Sequence, residues 1–225
     1  MDPPADPPAD PPADPPADPP VTPTVGFDLD MTLVDSRAGL VDTLAALERE
    51  IGEPGLAHAE AVDALFASNV DVEFAKRFGP ERAPALADRF REIYRTVGVV
   101  GTAILPGARE AVAAVRAAGV QVIVVTAKFE PNARLCLDHV ALEVDAVFGR
   151  LHGTEKSTVL RAHRAFAYLG DTTADMTAAR TAGATAVGVA TGPASADDLW
   201  AAGADVVLSS LAEFSEWWER SPRPS

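Results

Sequence analysis

TVGFDLDMTLVDS, running from Thr24 to Ser36, is the stretch on which the reading of this chain turns. Val25 and Phe27, with Gly26 between them, make a short apolar lead-in of the kind that forms a buried strand. The strand runs into two carboxylates, Asp28 and Asp30, separated by Leu29. Strand alternation puts both on one face, at the carboxyl end where open α/β sheets bind their ligands. Two like charges at that spacing repel, so a metal cation or a shared proton is implied. The same residues also suit a strand entering an Asp-rich turn, because Asp starts turns and caps helices. Both readings stand until the rest of the chain is considered.

Outward from this stretch the chain divides by composition. Residues 1–20 repeat Asp-Pro-Pro-Ala with a period of four. Proline removes backbone donors, and nothing large and apolar is present to bury, so a disordered, polyproline-like tail is expected. Beyond Asp35, Ser36 is placed to cap a helix through Leu40, Leu44 and Leu47 that Gly52 and Pro54 stop. Between Gly55 and Gly98 the apolar residues fall at three- and four-residue steps, as in Leu86, Phe90, Ile93 and Tyr94, which reads as a helical insertion. Gly98 to Pro106 is expected to be a plain return linker.

After Pro106 the pattern alternates strictly. Helices are predicted at 107–118, 130–140, 155–165, 172–182, 195–202 and 210–219, and strands at 120–126, 144–148, 166–169, 185–189 and 205–208. Such alternation implies right-handed crossovers and a parallel sheet covered on both faces. The predicted fold is therefore α/β, a Rossmann-like core at 21–38 and 104–219 with an all-helical cap at 39–103 and tails at 1–20 and 220–225.

Bulk properties narrow the function. The 225 residues carry a formal charge of −14, and five of the aspartates lie in the first twenty positions. This argues against a nucleic-acid surface, which needs clustered Lys and Arg. It leaves room for a phosphorylated substrate, since a cation can bring positive charge to an acidic pocket. Cys136 is the only cysteine, so no intrachain disulfide can form and a reducing cytoplasm is the expected compartment. The start shows no secretory signal, and the longest apolar stretch, Val97 to Leu105, is too short to span a bilayer.

Two further strand ends carry polar residues. Thr126 closes VQVIVVT, and its hydroxyl can donate to an anionic oxygen, although Thr is also a common strand terminator. Gly170-Asp171-Thr172-Thr173-Ala174-Asp175 follows the strand FAYL; Asp171 and Asp175, four apart across the turn, can face one point. Alternatively Asp171 or Thr172 is an N-cap and Asp175 a charge favoured by the helix dipole, a reading that fits Asp175 better than Asp171. The chain has only three lysines, Lys76, Lys128 and Lys156, among nineteen strongly basic residues. A lysine kept where arginine is preferred suits a compact charge between a carboxylate and a phosphate. Lys156 also starts a helix, where the dipole disfavours a cation, so an anionic partner is expected.

Taken in order, Asp28-Leu29-Asp30-Met31-Thr32-Leu33, Thr126, Lys156 and Gly170-Asp171 with Asp175 resemble the four motifs of the haloacid dehalogenase-like hydrolase superfamily. The helical insertion looks like the cap of the phosphoglycolate phosphatase-like and β-phosphoglucomutase-like subgroups, and the resemblance covers about Val25 to Trp218. It implies an Mg²⁺-dependent phosphatase acting on a small phosphorylated metabolite. Asp28 would be the nucleophile and Asp30 the general acid and base. Asp28, the backbone carbonyl of Asp30, Asp171 and Asp175 would hold Mg²⁺, with Asp175 a direct ligand or a support to one. Thr126 and Lys156 would bind the phosphoryl oxygens.

The carboxylate at Asp30 favours phosphoryl transfer over dehalogenation, because the dehalogenases this chain resembles lack an acid there. Three positions depart from the pattern: Met31 replaces a usual glycine, Ser157 a frequent proline, and Ala127 the asparagine common in the phosphoglycolate phosphatase subgroup. Lys76, Arg77, Arg82, Arg91 and Arg95 of the cap are candidates to meet a substrate's own charge or hydroxyl, or simply polar helix faces. A phosphomutase and a non-catalytic binding protein are the competing readings.

Overall fold

The computed structural model describes residues 22–221, so the expected N-terminal tail at 1–20 lies outside the described residues, as do the last four positions. The first strand, β1 (Thr24–Phe27), is buried along its whole length. The chain then turns tightly, with the N–H groups of Leu33 and Val34 both bonded to the Leu29 carbonyl. A two-residue strand β2 (Val34–Asp35) leads into α1 (Arg37–Ile51). Gly52 ends α1 in the left-handed conformation at φ 70°, its N–H on the Glu48 carbonyl, as glycine past a helix end commonly does. Ser36 departs from its expected role. Its hydroxyl makes no cap bond and instead donates to Asp30 Oδ1 at 2.5 Å, while Asp35 Oδ1 accepts from the Arg37 N–H.

The insertion continues with α2 (Ala59–Ala67) and α3 (Val70–Tyr94), the latter broken at Gly79, where φ 77° and ψ 166° leave the helical region just before Pro80. Leu44, Leu47, Phe74, Ala87 and Tyr94 give this helical layer an apolar core of its own. The return at 98–106 is more structured than a linker. It contains a 3-10 turn (Val99–Gly101) and β3 (Ala103–Ile104), which pairs antiparallel with β2. Two residues on each side are too few to show a period of two in the sequence.

Thereafter α4 (Ala108–Ala117), β4 (Gln121–Val125), α5 (Glu130–His139), β5 (Ala146–Phe148), α6 (Thr154–Ala162) and β6 (Ala165–Gly170) alternate. They are followed by α7 (Thr173–Ala182), β7 (Thr185–Val189), α8 (Ala196–Ala201), β8 (Val206–Leu208) and α9 (Phe214–Arg220). The main sheet has the order β5-β4-β1-β6-β7-β8, and every pairing in it is parallel. Strand alternation divides its side chains between two cores. Val25, Phe27, Val122, Val124 and Leu169 face one apolar layer, and Ile123, Val125, Tyr168 and Ala186 the other. A doubly covered parallel sheet has its strand order reversed about β1, which lies between β4 and β6. The carboxyl ends of those three strands form the crevice where ligands bind in such folds.

Candidate active site

The crevice holds a cavity of about 300 Å³ between the strand ends and the helical layer. Asp28, Asp30, Thr126, Lys156, Asp171 and Asp175 all line it. The Asp28 N–H donates to the Leu169 carbonyl at 2.8 Å, so the backbone is still held to β6 one residue past the strand. One carboxylate oxygen from each of Asp28, Asp171 and Asp175 can be chosen so that all lie within 4.8 Å of one another.

Lys156 sits among them. Its Nζ donates to Asp28 Oδ1 at 2.9 Å, to Asp175 Oδ1 at 2.6 Å and to the Tyr168 hydroxyl at 3.0 Å. Tyr168 in turn donates to the Val125 carbonyl at 2.7 Å, tying the lysine to two strands. Burial alone would push the ammonium toward neutrality, but Asp175 and Asp28 outweigh it and hold its pKa well above the ordinary lysine value. Burial raises the Asp28 carboxyl to about 6, with Lys156 opposing the rise and Asp175 adding to it. Asp171 is pushed well above the usual carboxylate range by burial, then by the charges of Asp28 and Asp175.

Asp175 combines the two roles that its spacing allowed. Thr172 caps α7, its hydroxyl accepting from the Asp175 N–H, while Asp175 Oδ2 accepts from the Thr172 N–H at 3.1 Å. The other oxygen, Oδ1, belongs to Lys156 and Tyr168. Capping thus fixes the carboxylate that fixes the lysine. Two glycines make this packing feasible: a Cβ on Gly170 would lie 2.5 Å from atoms of Asp175, and one on Gly192 would lie 1.7 Å from Asp171 Oδ2.

Asp30 lines the same cavity but is held separately. Lys128 Nζ contacts Asp30 Oδ1 at 2.9 Å and Oδ2 at 3.2 Å, and Ser36 adds its bond to Oδ1. The lysine lies 4.2 Å from the centroid of the Tyr94 ring, contributed by α3. Burial works against the Lys128 charge, and Asp30 and Tyr94 more than compensate. The Tyr94 hydroxyl is pushed up to about 12, chiefly by burial. Thr126, buried at the end of β4, accepts from the Lys128 N–H at 3.2 Å, and Thr32 donates to Asp171 Oδ1 at 3.1 Å.

Ser36, Thr32, Lys128, Tyr94 and Tyr168 are therefore part of the arrangement without having been singled out as site residues. The scarcity of lysine was the one signal for Lys128. Of the five basic candidates in the cap, Arg91 alone lines the cavity among the described residues. Lys76 pairs with Glu73, Arg77 donates to the Pro54 and Gly55 carbonyls, and Arg82 pairs with Glu53. Met31, in the position where the resemblance leads one to expect glycine, adopts φ 59°, the left-handed region, and its carbonyl accepts from Thr191 Oγ1 at 2.5 Å.

The donor set can be tested against a cation. Asp28, Asp171 and Asp175 present three carboxylates to one ammonium, Lys156, leaving an excess of two negative charges in a buried place. Hard carboxylate oxygens with that excess suit a hard divalent cation. The raised carboxyl pKa values at Asp28 and Asp171 come first from burial, with the neighbouring carboxylates adding to it.

A parallel sheet with a helical layer over its carboxyl edge and a buried triad of carboxylates beside a lysine defines a class of α/β hydrolytic enzymes. The haloacid dehalogenase-like hydrolase family model matches residues 25–180, and a second model, of hydrolase-like type, matches residues 156–214. The chain belongs to the haloacid dehalogenase-like hydrolase family. A phosphoglycolate phosphatase of Caulobacter vibrioides is 32% identical over 134 residues, which is 56% of this chain and 56% of that relative's length. Among solved structures, a haloacid dehalogenase-like family protein from Streptococcus pneumoniae superposes with a TM-score of 0.75 at 20% identity, over 88% of this chain and 98% of that one. A protein described as a predicted phosphatase from Clostridium acetobutylicum gives 0.73 at 20% identity, over 89% and 100% of the two chains. Among the described residues no helix is long and apolar enough to cross a membrane.

Proposed function

We propose that the protein is a Mg²⁺-dependent phosphatase that hydrolyses a small phosphomonoester through an aspartyl-phosphate. The observation that carries this reading is the contact of Lys156 with Oδ1 of Asp28 inside the carboxylate cluster. Oδ2 of Asp28 is then the oxygen available to a reacting phosphorus. It attacks, the P–O bond to the alcohol breaks, and Asp30 gives the departing alkoxide a proton. Water attacks the same phosphorus in the second step, losing its proton to Asp30, and the bond between phosphorus and Asp28 breaks to release phosphate. Each proton taken by Asp30 replaces the one it gave, so the enzyme returns to its starting state.

Asp28, Asp171, Asp175 and the backbone of Asp30 would hold the ion. An Mg²⁺ ion held there would neutralise charge on the phosphoryl oxygens and would keep Asp28 ionised. Lys156 keeps Asp28 and Asp175 in place and offers its charge to the phosphoryl group, and the Thr126 hydroxyl offers a donor at the end of β4. Lys128 and Ser36 orient Asp30 toward the cavity. The name of the Caulobacter relative supports a phosphatase and puts phosphoglycolate in the substrate panel.

Phosphate release from p-nitrophenyl phosphate and a metabolite panel tests this reading. Activity that disappears on chelation, returns with Mg²⁺ and is absent in Asp28→Asn is the expected result. Folded protein that binds Mg²⁺ and releases no phosphate from any monoester would overturn it.

A further inference from the structure

The leaving-group half of the cavity has a chemistry of its own. Its cap wall carries an apolar stretch of Leu40, Leu65, Phe66, Val70 and Phe90, with Ser68, Asn69, Asp71 and Arg91 as its polar members. Among the described residues four strongly basic side chains line the cavity, and each already has a carboxylate partner. Lys156 and Lys128 are committed to the floor, as described above. Arg91 is tied by Nη2 to Asp71 and by Nη1 to Asp88 at 2.9 Å, and Arg150 reaches Asp71 at 3.5 Å. Both guanidinium groups also lie over the Phe129 ring, at 5.4 and 5.9 Å from its centroid. One carboxylate, Asp71 in the first turn of α3, thus pairs with both arginines, although Arg91 Nε has no hydrogen-bond partner among the described residues, and it adds its own charge to the cavity lining.

We infer that the alcohol half of the substrate is uncharged with an apolar body, and that Asp71 is the specificity-determining residue that keeps anionic alcohols out. An acid-bearing ester would have to compete with Asp71 for Arg91 and Arg150, and would bring its carboxylate toward the like charge of Asp71. An alkyl or aryl alcohol loses nothing there and gains burial. This inference rests on the phosphatase reading of the same site, and narrows its substrate class.

The test uses benzyl phosphate and 2-phosphoglycolate, both esters of primary alcohols, with the full chain and Mg²⁺. The wild type should favour benzyl phosphate in kcat/KM by roughly 100-fold. Asp71→Asn should raise kcat/KM for phosphoglycolate about tenfold, chiefly through KM, while changing benzyl phosphate by less than about twofold. Asp88→Asn removes the other partner of Arg91 from outside the cavity and should leave the ratio of the two esters unchanged. Faster hydrolysis of phosphoglycolate by the wild type, or equal shifts in Asp71→Asn and Asp88→Asn, would overturn the inference and leave the phosphatase reading intact. Hydrolysis of neither ester, nor of any other monoester, would remove both.

Discussion

Two lysines reach into this cavity, and their surroundings differ in one decisive respect. Lys156 meets two carboxylates directly and a third, Asp171, nearby, so the region keeps an excess of negative charge. Lys128 meets one, Asp30, at 2.9 Å. Burial first, and the neighbouring carboxylates second, raise the pKa values of the first region's Asp28 and Asp171 carboxyls. Under the proposed function the first region would hold the divalent cation and the second would orient the acid, distinguished by the count of carboxylates per lysine.

The sharpest way to break this comparison is at the nucleophile. Asp28→Asn should lower turnover by about four orders of magnitude while leaving the fold intact, checked by phosphate release and by thermal melting. On the other side, Lys128→Met should cost only about 10- to 100-fold in kcat, because it disorients Asp30 without removing it. The loss should be greater for an alkyl phosphate than for p-nitrophenyl phosphate, whose leaving group needs little protonation. Equal losses on both esters would mean that Lys128 does not act through Asp30.

Stability separates the regions next. Lys156→Met leaves three buried carboxylates without their cation and should destabilise the metal-free protein by about 3 kcal/mol, with Mg²⁺ recovering part of the loss. A melting temperature unchanged in the presence of chelator would contradict the imbalance. The pH dependence follows from the same charges. Asp28 holds its proton to about pH 6 in the fold against 3.8 as the ordinary value, so the folded state binds more protons between those limits. Stability of the chelated protein should fall as pH rises through that window, by up to about 3 kcal/mol from this group. Mg²⁺ competes with the proton, so its affinity should weaken as pH drops below about 6. Melting curves across pH with and without Mg²⁺ would show both slopes.

The smallest effect is expected at Met31. Glycine there would relieve about 1 kcal/mol of left-handed strain but give up a buried side chain worth somewhat more, so Met31→Gly should lose about 1 kcal/mol net in a denaturant titration.

Legibility in the sequence followed the range of the interactions. The six strands of the main sheet and their parallel sense could be read because alternation and breakers are local signals. The positions that meet in the cavity, Asp28, Asp30, Thr126, Asp171 and Asp175, each sit at a strand end or turn that local signals mark, but those signals left a turn, cap or strand-terminator reading open at each, and it was the order of the four motifs that joined them into one site. What could not be read was which group holds which. Lys128 and Asp30 are 98 positions apart, and Thr32 and Asp171 are 139 apart, so no spacing rule connects them. Ser36 shows the converse error, in which a sound local rule, helix capping, lost to a nearby carboxylate offering a stronger, charge-assisted bond. The β2 and β3 pairing was missed because it rests on two residues per strand.

The central claim is that Asp28, Asp171 and Asp175 together make a divalent cation site and that Asp30 with Lys128 does not. Calorimetric titration of Mg²⁺ into the substrate-free chain tests it most directly, comparing wild type with Asp171→Asn and Lys128→Met. One ion per chain, lost in Asp171→Asn and retained in Lys128→Met, is the predicted result. Binding that survives Asp171→Asn, or that disappears in Lys128→Met, would contradict it.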